Sequence, residues 1–111
     1  MSNRKDTFIG LYKPYGGEWQ GYIYSGANAW KEWHEDTFSV EDYRAIPLWV
    51  SGRTYREKRS RLEHIANAWE RTFSEYGISW SYGELMIVQD FLERNARRYG
   101  LATVFKEAAL I

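Results

Sequence analysis

The stretch "TYREKRSRLEHIANAWERTFSEYG", residues 54–77, decides the fold because it carries every signal of one amphipathic helix. Thr54 and Glu57 have capping-box spacing, in which each side chain accepts a hydrogen bond from the amide of the other residue. Gly77 ends the stretch at the position where a helix typically closes in a left-handed residue. Between them, apolar residues recur at helical spacing: Tyr55, Leu62, Ile65, Ala66, Trp69, Phe73 and Tyr76. The stretch predicts a long helix with this stripe in the core.

The residues that follow predict two more helices. Ser81 and Glu84 repeat the capping-box spacing, and Gly100 closes the second helix. Its apolar stripe is Leu85, Val88, Leu92, Ala96 and Tyr99, widened by Ile87 and Phe91. Its last turns hold Arg94, Arg97 and Arg98, which suit the negative end of the helix dipole. A short final helix over residues 103–109 is expected to pack through Val104, Phe105 and Ala108.

Working toward the N-terminus, residues 7–24 predict a β-hairpin. "TFIGLYK" and "WQGYIYS" are rich in aromatic and β-branched residues, and Gly16 with Gly17 supplies the positive φ of a tight turn. Alternation places Phe8, Gly10 and Tyr12 on one face and Ile9 with Leu11 on the other. Both faces carry apolar groups, so we expect one face to be covered and the other to be covered in part.

Residues 25–50 leave the secondary structure open. "ANAWKEWHED", residues 27–36, is short enough to be either a helix or a third strand. Ser39 and Asp42 have the spacing of a helix start, but Pro47 limits that helix to a turn or two. "IPLWV", residues 46–50, predicts a short buried strand. The fold class predicted for the chain is α+β: one domain, residues 1–111, with an N-terminal antiparallel hairpin or small sheet packed against two or three C-terminal helices.

Composition narrows the classes of function. The formal net charge is zero, so there is no general electrostatic attraction to nucleic acid or to an anionic membrane. The chain has no cysteine, which excludes disulfides, thiol catalysis and thiolate metal sites and fits a cytoplasmic protein. The first residues lack the apolar run of a secretory signal, and no apolar run is long enough to span a bilayer. No nucleotide-binding or serine-hydrolase motif occurs, so we expect neither a cofactor nor an enzyme.

Charge is concentrated in two segments of opposite sign. The basic cluster is Arg53, Arg56, Lys58, Arg59 and Arg61. Glu57 is the one acidic residue in this segment, so five positive charges less one give a local net charge of +4. The acidic block is Glu32, Glu35, Asp36, Glu41 and Asp42, with a local net charge of −5. Four alternatives stay open. The first two are that the segments pair within one chain, or that they pair between two copies in a homodimer. The third is that the basic cluster binds nucleic-acid phosphate or an acidic protein face, and the fourth is that both segments are solvated surface.

Aromatic residues make up 18% of the chain, an unusually high share. They strengthen a thin core in a small domain, and they are also the favoured anchors of binding surfaces. The hairpin and the segment after it hold more rings than one face of a small sheet can bury. We therefore predict an exposed aromatic contact patch: Tyr22, Tyr24, Trp30 and Trp33. The alternative is that these rings only cover the core.

Three functions follow from these features, and the first is preferred. The chain as a whole is small, free of cysteine and rich in aromatic residues, and it resembles the accessory proteins that phages and plasmids carry. That resemblance implies a non-enzymatic protein-interaction module that binds and inhibits or modulates a host protein, such as a component of a defence system. The second function is nucleic-acid binding through the basic cluster and the rings. The third is a small enzyme that uses His34 and its neighbouring carboxylates as an acid–base pair. A metal site at His34 is the other interpretation, and we do not expect it because adjacent side chains point in different directions.

Overall fold

The structure, a computed structural model, describes residues 7–13, 17–26, 28–37 and 43–111, and for residues 34–37 and 43 it describes the backbone only. Seven elements follow one another along the chain: β1 (Phe8–Tyr12), β2 (Gln20–Tyr24), α1 (Ala29–Thr37), β3 (Tyr43–Pro47), α2 (Tyr55–Ser74), α3 (Tyr82–Arg98) and α4 (Ala102–Glu107). The predicted α+β class is confirmed: a small antiparallel sheet stands at the N-terminal end and three helices follow it.

The sheet has three strands in the order β2-β1-β3, and both pairings are antiparallel. In its middle rows Ile9 lies between Ile23 and Ile46, and Gly10 lies between Tyr22 and Ala45. The segment of uncertain type is helix α1, whereas the predicted hairpin turn at Gly16 and the predicted helix start at Ser39 lie outside the described residues.

The strand predicted over residues 46–50 is misplaced by three residues. β3 begins at Tyr43 and ends at Pro47, which lies opposite Phe8, the first residue of β1. One further hydrogen bond, from the amide of Leu48 to the carbonyl of Thr7 at 3.0 Å, closes the pairing. Residues 48 and 49 form a bend, which ends the strand.

Both faces of the sheet are covered, which gives the described chain three layers. Ile9, Leu11 and Ile46 point to one face and enter the main core with α2, α3 and α4. Phe8 points to the opposite face and forms a second, minor core with Ala29 and Trp33 of α1. The alternation of β1 predicted this division, but the helix that covers the second face could not be predicted from its own sequence.

Two strand glycines let tryptophans lie against the sheet. A Cβ atom on Gly10 would overlap the indole of Trp33, with Cδ1 only 2.5 Å away. On the other face, a Cβ atom on Gly21 would come within 2.5 Å of Cη2 of Trp80. A glycine inside a strand often marks such a close approach.

The predicted stripe of α2 is confirmed at Leu62, Ile65, Ala66 and Trp69, which are buried. It is wrong at Tyr55, which is 56% exposed in the first turn. It is also wrong at Phe73, which is 45% exposed, because the fully buried position on that turn is Thr72. The Thr72 hydroxyl donates to the carbonyl of Trp69 at 2.7 Å and accepts from the indole of Trp80 at 3.2 Å. The segment after α2 thus folds back over Thr72, a contact that helical periodicity does not contain.

The two capping boxes differ in detail. At Ser81 and Glu84 both reciprocal hydrogen bonds are present, as predicted. Thr54 accepts from the amide of Glu57 at 3.1 Å, but Glu57 accepts from the amide of Arg53 at 2.8 Å instead of that of Thr54. Gly52 has a positive φ of 136° and packs against Glu57, which brings the Arg53 amide within reach of the carboxylate.

The C-terminal region confirms the helices and corrects their packing. Gly77 and Gly100 are left-handed, with φ of 61° and 70°, as expected at helix ends. α4 is shorter than predicted, because Ala109 is also left-handed, with φ of 59°. Phe105 is buried as predicted, but Val104 and Ala108 are exposed, because the six residues of α4 present one narrow face to the core. Ile87 of α3 is 49% exposed and is not part of the core.

Candidate functional site

Among the described residues, six aromatic rings form a continuous array on the α1 side of the sheet. The rings are Phe8, Tyr12, Tyr22, Tyr24, Trp30 and Trp33. Tyr12 stacks on Tyr22 with centroids 5.8 Å apart, and Tyr22 meets Tyr24 at 6.1 Å. Phe8 links Tyr24 to Trp30, each at 5.3 Å. Trp30 contacts Trp33 at 5.1 Å. We call Tyr12, Tyr22, Tyr24 and Trp30 the aromatic face; Phe8 and Trp33 lie beneath it.

Strand register and hydrogen bonding hold this array in place. Phe8 pairs with Tyr24 and Tyr12 pairs with Gln20, so their side chains rise on the same side of the sheet. The hydroxyls of Tyr12 and Tyr22 both donate to Oε1 of Gln20, at 3.0 and 3.1 Å. Rings that are already fixed lose little conformational entropy when a partner covers them.

The predicted contact patch is divided between surface and core. Tyr22 is 43% exposed and Trp30 is 50% exposed, while Tyr24 is half-buried. Trp33 is fully buried at 0%, so its predicted exposure is wrong. The reason is Gly10, whose missing side chain leaves a hollow that the indole of Trp33 fills. Tyr12, which was not part of the predicted patch, is half-buried and stacks on the exposed Tyr22.

The basic cluster does not form one site. Arg53, Arg56 and Arg61 are exposed, whereas Lys58 and Arg59 are half-buried. Arg56 and Arg61 line a shallow depression on the outer side of α2, together with Ser51, Glu57, Ser60 and His64. Lys58 instead lines a different cavity, which lies beside α3. Arg59 lies 3.8 Å from Glu63 in an exposed ion pair one turn along the helix, which contributes little to stability.

The acidic block is described only in part. Glu32 is exposed in the first turn of α1, and no ion pair joins it to the basic cluster within the described residues. Glu35 and Asp36 lie in α1 without described side chains, and Glu41 and Asp42 lie outside the described residues. Pairing between the two charged segments, within a chain or in a homodimer, therefore stays a prediction.

The predicted role of His34 is not tested, because its side chain is not among those described. Within the described part of the chain, no three histidine, aspartate or glutamate side chains come together as a metal site. Among the same residues, none of the helices is long and apolar enough to cross a membrane.

A cavity of 390 Å³ lies between α3, the first turns of α2 and the segment after β3. We call it the α3 cleft. Its apolar lining is Leu48, Trp49, Val50, Ile87, Phe91 and Tyr99. Its charged lining is Lys58, Asp90, Arg94 and Arg98. Ile87, Phe91, Arg94 and Arg98 recur at intervals of three and four residues, so this second face of α3 was present in the sequence beside the core stripe.

A second group that sequence reasoning missed surrounds Arg44. Its guanidinium lies over the rings of Tyr76 and Trp19, 5.1 and 5.9 Å from their centroids. Arg44 and Arg71 line a cavity of 360 Å³ with Leu11, Ala45, Ile46, Ala68 and Tyr76. Cation–π contacts of this kind stabilise a surface arginine, and both residues remain largely exposed.

Comparison of the chain with protein-family models, with curated proteins and with solved structures finds no match. The class that the fold defines is a small α+β domain with an aromatic face on one side of its sheet.

Proposed function

We propose that this chain is a small, non-enzymatic protein-interaction module whose contact surface is the aromatic face. One observation supports it most: six rings of the described residues form a continuous array, in which Tyr22 and Trp30 are exposed. Trp30 rests on the buried rings of Phe8 and Trp33, and Tyr22 lies against the half-buried rings of Tyr12 and Tyr24. Tryptophan and tyrosine dominate the binding energy of protein interfaces, especially where the surrounding structure already fixes them.

The proposal extends to the biological setting expected from the sequence. The partner is a host protein, such as a component of a defence system, which the chain inhibits or modulates as a phage- or plasmid-borne accessory protein. Its support is the small, aromatic-rich character of the whole chain. We keep the cytoplasm as the proposed compartment, since a chain without cysteine gains no stability from an oxidising one.

Affinity capture with a double variant of the aromatic face and a control variant outside it tests the contact surface. The chain is immobilised as the wild type, as Tyr22→Ala with Trp30→Ala, and as Tyr82→Ala, and is exposed to nuclease-treated lysate of the cells that carry the gene. Tyr82 is an exposed tyrosine of α3 outside the aromatic face and is the matched control. We expect a captured protein whose recovery falls about tenfold or more in the double variant, because exposed hot-spot rings contribute about 2 kcal/mol or more each.

Folding of every variant is checked by its thermal unfolding transition. Equal recovery by the wild type and the double variant would overturn the proposal, as would an equal loss with Tyr82→Ala. A protein captured equally by all three chains would then contact another surface.

Nucleic-acid binding is the second candidate, and the exposure of Arg53, Arg56 and Arg61 favours it. Within the described residues none of these three forms an ion pair, so they are available to phosphates. A parallel capture without nuclease separates the candidates. Nucleic acid retained on the wild type, and released steeply as salt is raised, would favour the basic cluster over the aromatic face.

A further inference from the structure

The α3 cleft joins an apolar wall to a cationic rim. Ile87 is 49% exposed although it is a large aliphatic residue, and it lies in the cleft with the half-buried Trp49 and Val50. Trp49 also packs against the minor core, so its ring is supported from behind. A cavity of 390 Å³ is within the range of small-molecule pockets, roughly 300–1,000 Å³.

The charges of the cleft do not cancel. Lys58, Arg94 and Arg98 line it against Asp90, the one carboxylate among the described residues of its lining. Asp90 lies 3.2 Å from Arg94, so that pair neutralises itself. Lys58 and Arg98 form no ion pair within the described chain and leave the cleft with two uncompensated positive charges. An anion therefore matches the rim, and an apolar group matches the wall.

We propose that the α3 cleft binds a carboxylate carried on an apolar body. Arg98 and Lys58 hold the carboxylate, and the planar guanidinium of Arg98 suits it because it donates two parallel hydrogen bonds. Ile87 and Trp49 contact the apolar body. The same chemistry has two sources: a free organic acid, or an acidic residue beside an apolar one in a segment of another protein.

Titration of the isotope-labelled chain with 3-phenylpropanoate, followed by NMR, tests the site. We expect the shifts to concentrate at the residues of the α3 cleft and to saturate. The uncharged analogue 3-phenylpropanamide has the same body without the charge, and it should bind about tenfold more weakly, because a charge-assisted hydrogen bond is lost. Equal binding of the two probes, or shifts scattered outside the cleft, would overturn the proposal.

Paired arginine variants locate the carboxylate. Arg98→Gln should weaken binding of 3-phenylpropanoate about tenfold. Arg61→Gln makes the same change on an exposed arginine that does not line the cleft, and it should leave the affinity unchanged. Ile87→Ala should weaken both probes, since it removes the shared apolar contact. Unchanged affinity in Arg98→Gln, in a chain whose spectrum shows it folded, would remove the assignment.

A capped hexapeptide of alternating leucine and glutamate separates the two sources. Binding of the peptide in the cleft with loss in Arg98→Gln assigns the protein segment, and binding of 3-phenylpropanoate alone assigns the free acid. Binding of neither overturns the site. The result is independent of the proposed partner surface, because none of the residues that line the α3 cleft belongs to the aromatic face.

Discussion

At the scale of single residues, Gly10 determines what the aromatic face is made of. It lies between Tyr22 and Ala45 in the sheet, and the indole of Trp33 occupies the space where its side chain would be. Because Trp33 sinks into this hollow, Trp30 remains outside as the exposed ring of α1. The missing side chain of Gly10 thus allows Trp33 to enter the core, while Trp30, three residues earlier, stays on the surface.

Gly10→Ala should lower the free energy of unfolding by about 1–3 kcal/mol, because the new methyl group overlaps the buried indole. Gly83→Ala is the matched control, since Gly83 lies in the first turn of α3 with nothing within 4 Å of an added Cβ atom. It should raise the free energy of unfolding by about 0.5–1 kcal/mol. Urea unfolding followed by far-UV circular dichroism measures both. A neutral Gly10→Ala would show that Trp33 is not seated against the sheet.

Gly10 also shows how much of the fold could be predicted from the sequence. Alternation correctly assigned Phe8, Gly10 and Tyr12 to one face of β1, because the period of a strand is a local property. The residues near Gly10 did not predict that Trp33 packs against it, because that contact joins positions 23 residues apart. Thr72 was missed for the same reason, since its partner Trp80 belongs to the segment that folds back over α2.

At the scale of elements, the helices were predictable where their ends carry local chemistry. Ser81 and Glu84 satisfy each other's amides, and α3 begins at the next residue after Ser81, as the spacing requires. α1 lacks a capping box, and its nine residues include aromatic and charged residues that also occur in strands. Its type is fixed by the face of the sheet that it covers, through Ala29 and Trp33.

Ser81→Ala should lower the free energy of unfolding by about 1 kcal/mol, because the amide of Glu84 loses its acceptor at the helix end. Ser81→Gly should lower the free energy of unfolding by only roughly a few tenths of a kcal/mol, since glycine leaves room for water at that amide. Ser79→Ala, an exposed serine of the preceding loop, is the control and should have no effect. Chemical unfolding of the three variants under one set of conditions provides the comparison. Equal values for Ser81→Ala and Ser79→Ala would mean that the capping hydrogen bond contributes nothing.

At the scale of the whole molecule, the candidate sites are assembled from distant segments. The α3 cleft is lined by Thr7, which precedes β1, by Trp49 from the segment after β3, by Lys58 of α2 and by Arg98 of α3. The sequence displayed the charges of Lys58 and Arg98 in two separate runs, and each run had a sufficient local explanation. Only the packing of α3 against α2 and the sheet brings them to one cavity, so the site could not be predicted from either run.

The sheet also couples the two cores, because β1 contributes alternate residues to both. Phe8 enters the minor core with Trp33, while Ile9 and Leu11 enter the main core. The minor core cannot be lost without freeing Phe8, and a free end of β1 would expose Ile9 next to it. We therefore expect one cooperative unfolding transition in which tryptophan fluorescence and far-UV circular dichroism coincide.

One large-to-small substitution in each core tests this coupling. Trp33→Ala should lower the free energy of unfolding by about 3–5 kcal/mol, and Leu92→Ala in the main core by about 2–5 kcal/mol. Both variants should still show a single transition, shifted to lower denaturant for both probes, because β1 transmits the loss from either core to the other. If Trp33→Ala instead gives an early fluorescence change while the helical signal keeps its wild-type midpoint, the minor core unfolds on its own. In that case α1 and the aromatic face form a separate unit, and a partner bound there would stabilise that unit without stabilising α2, α3 and α4.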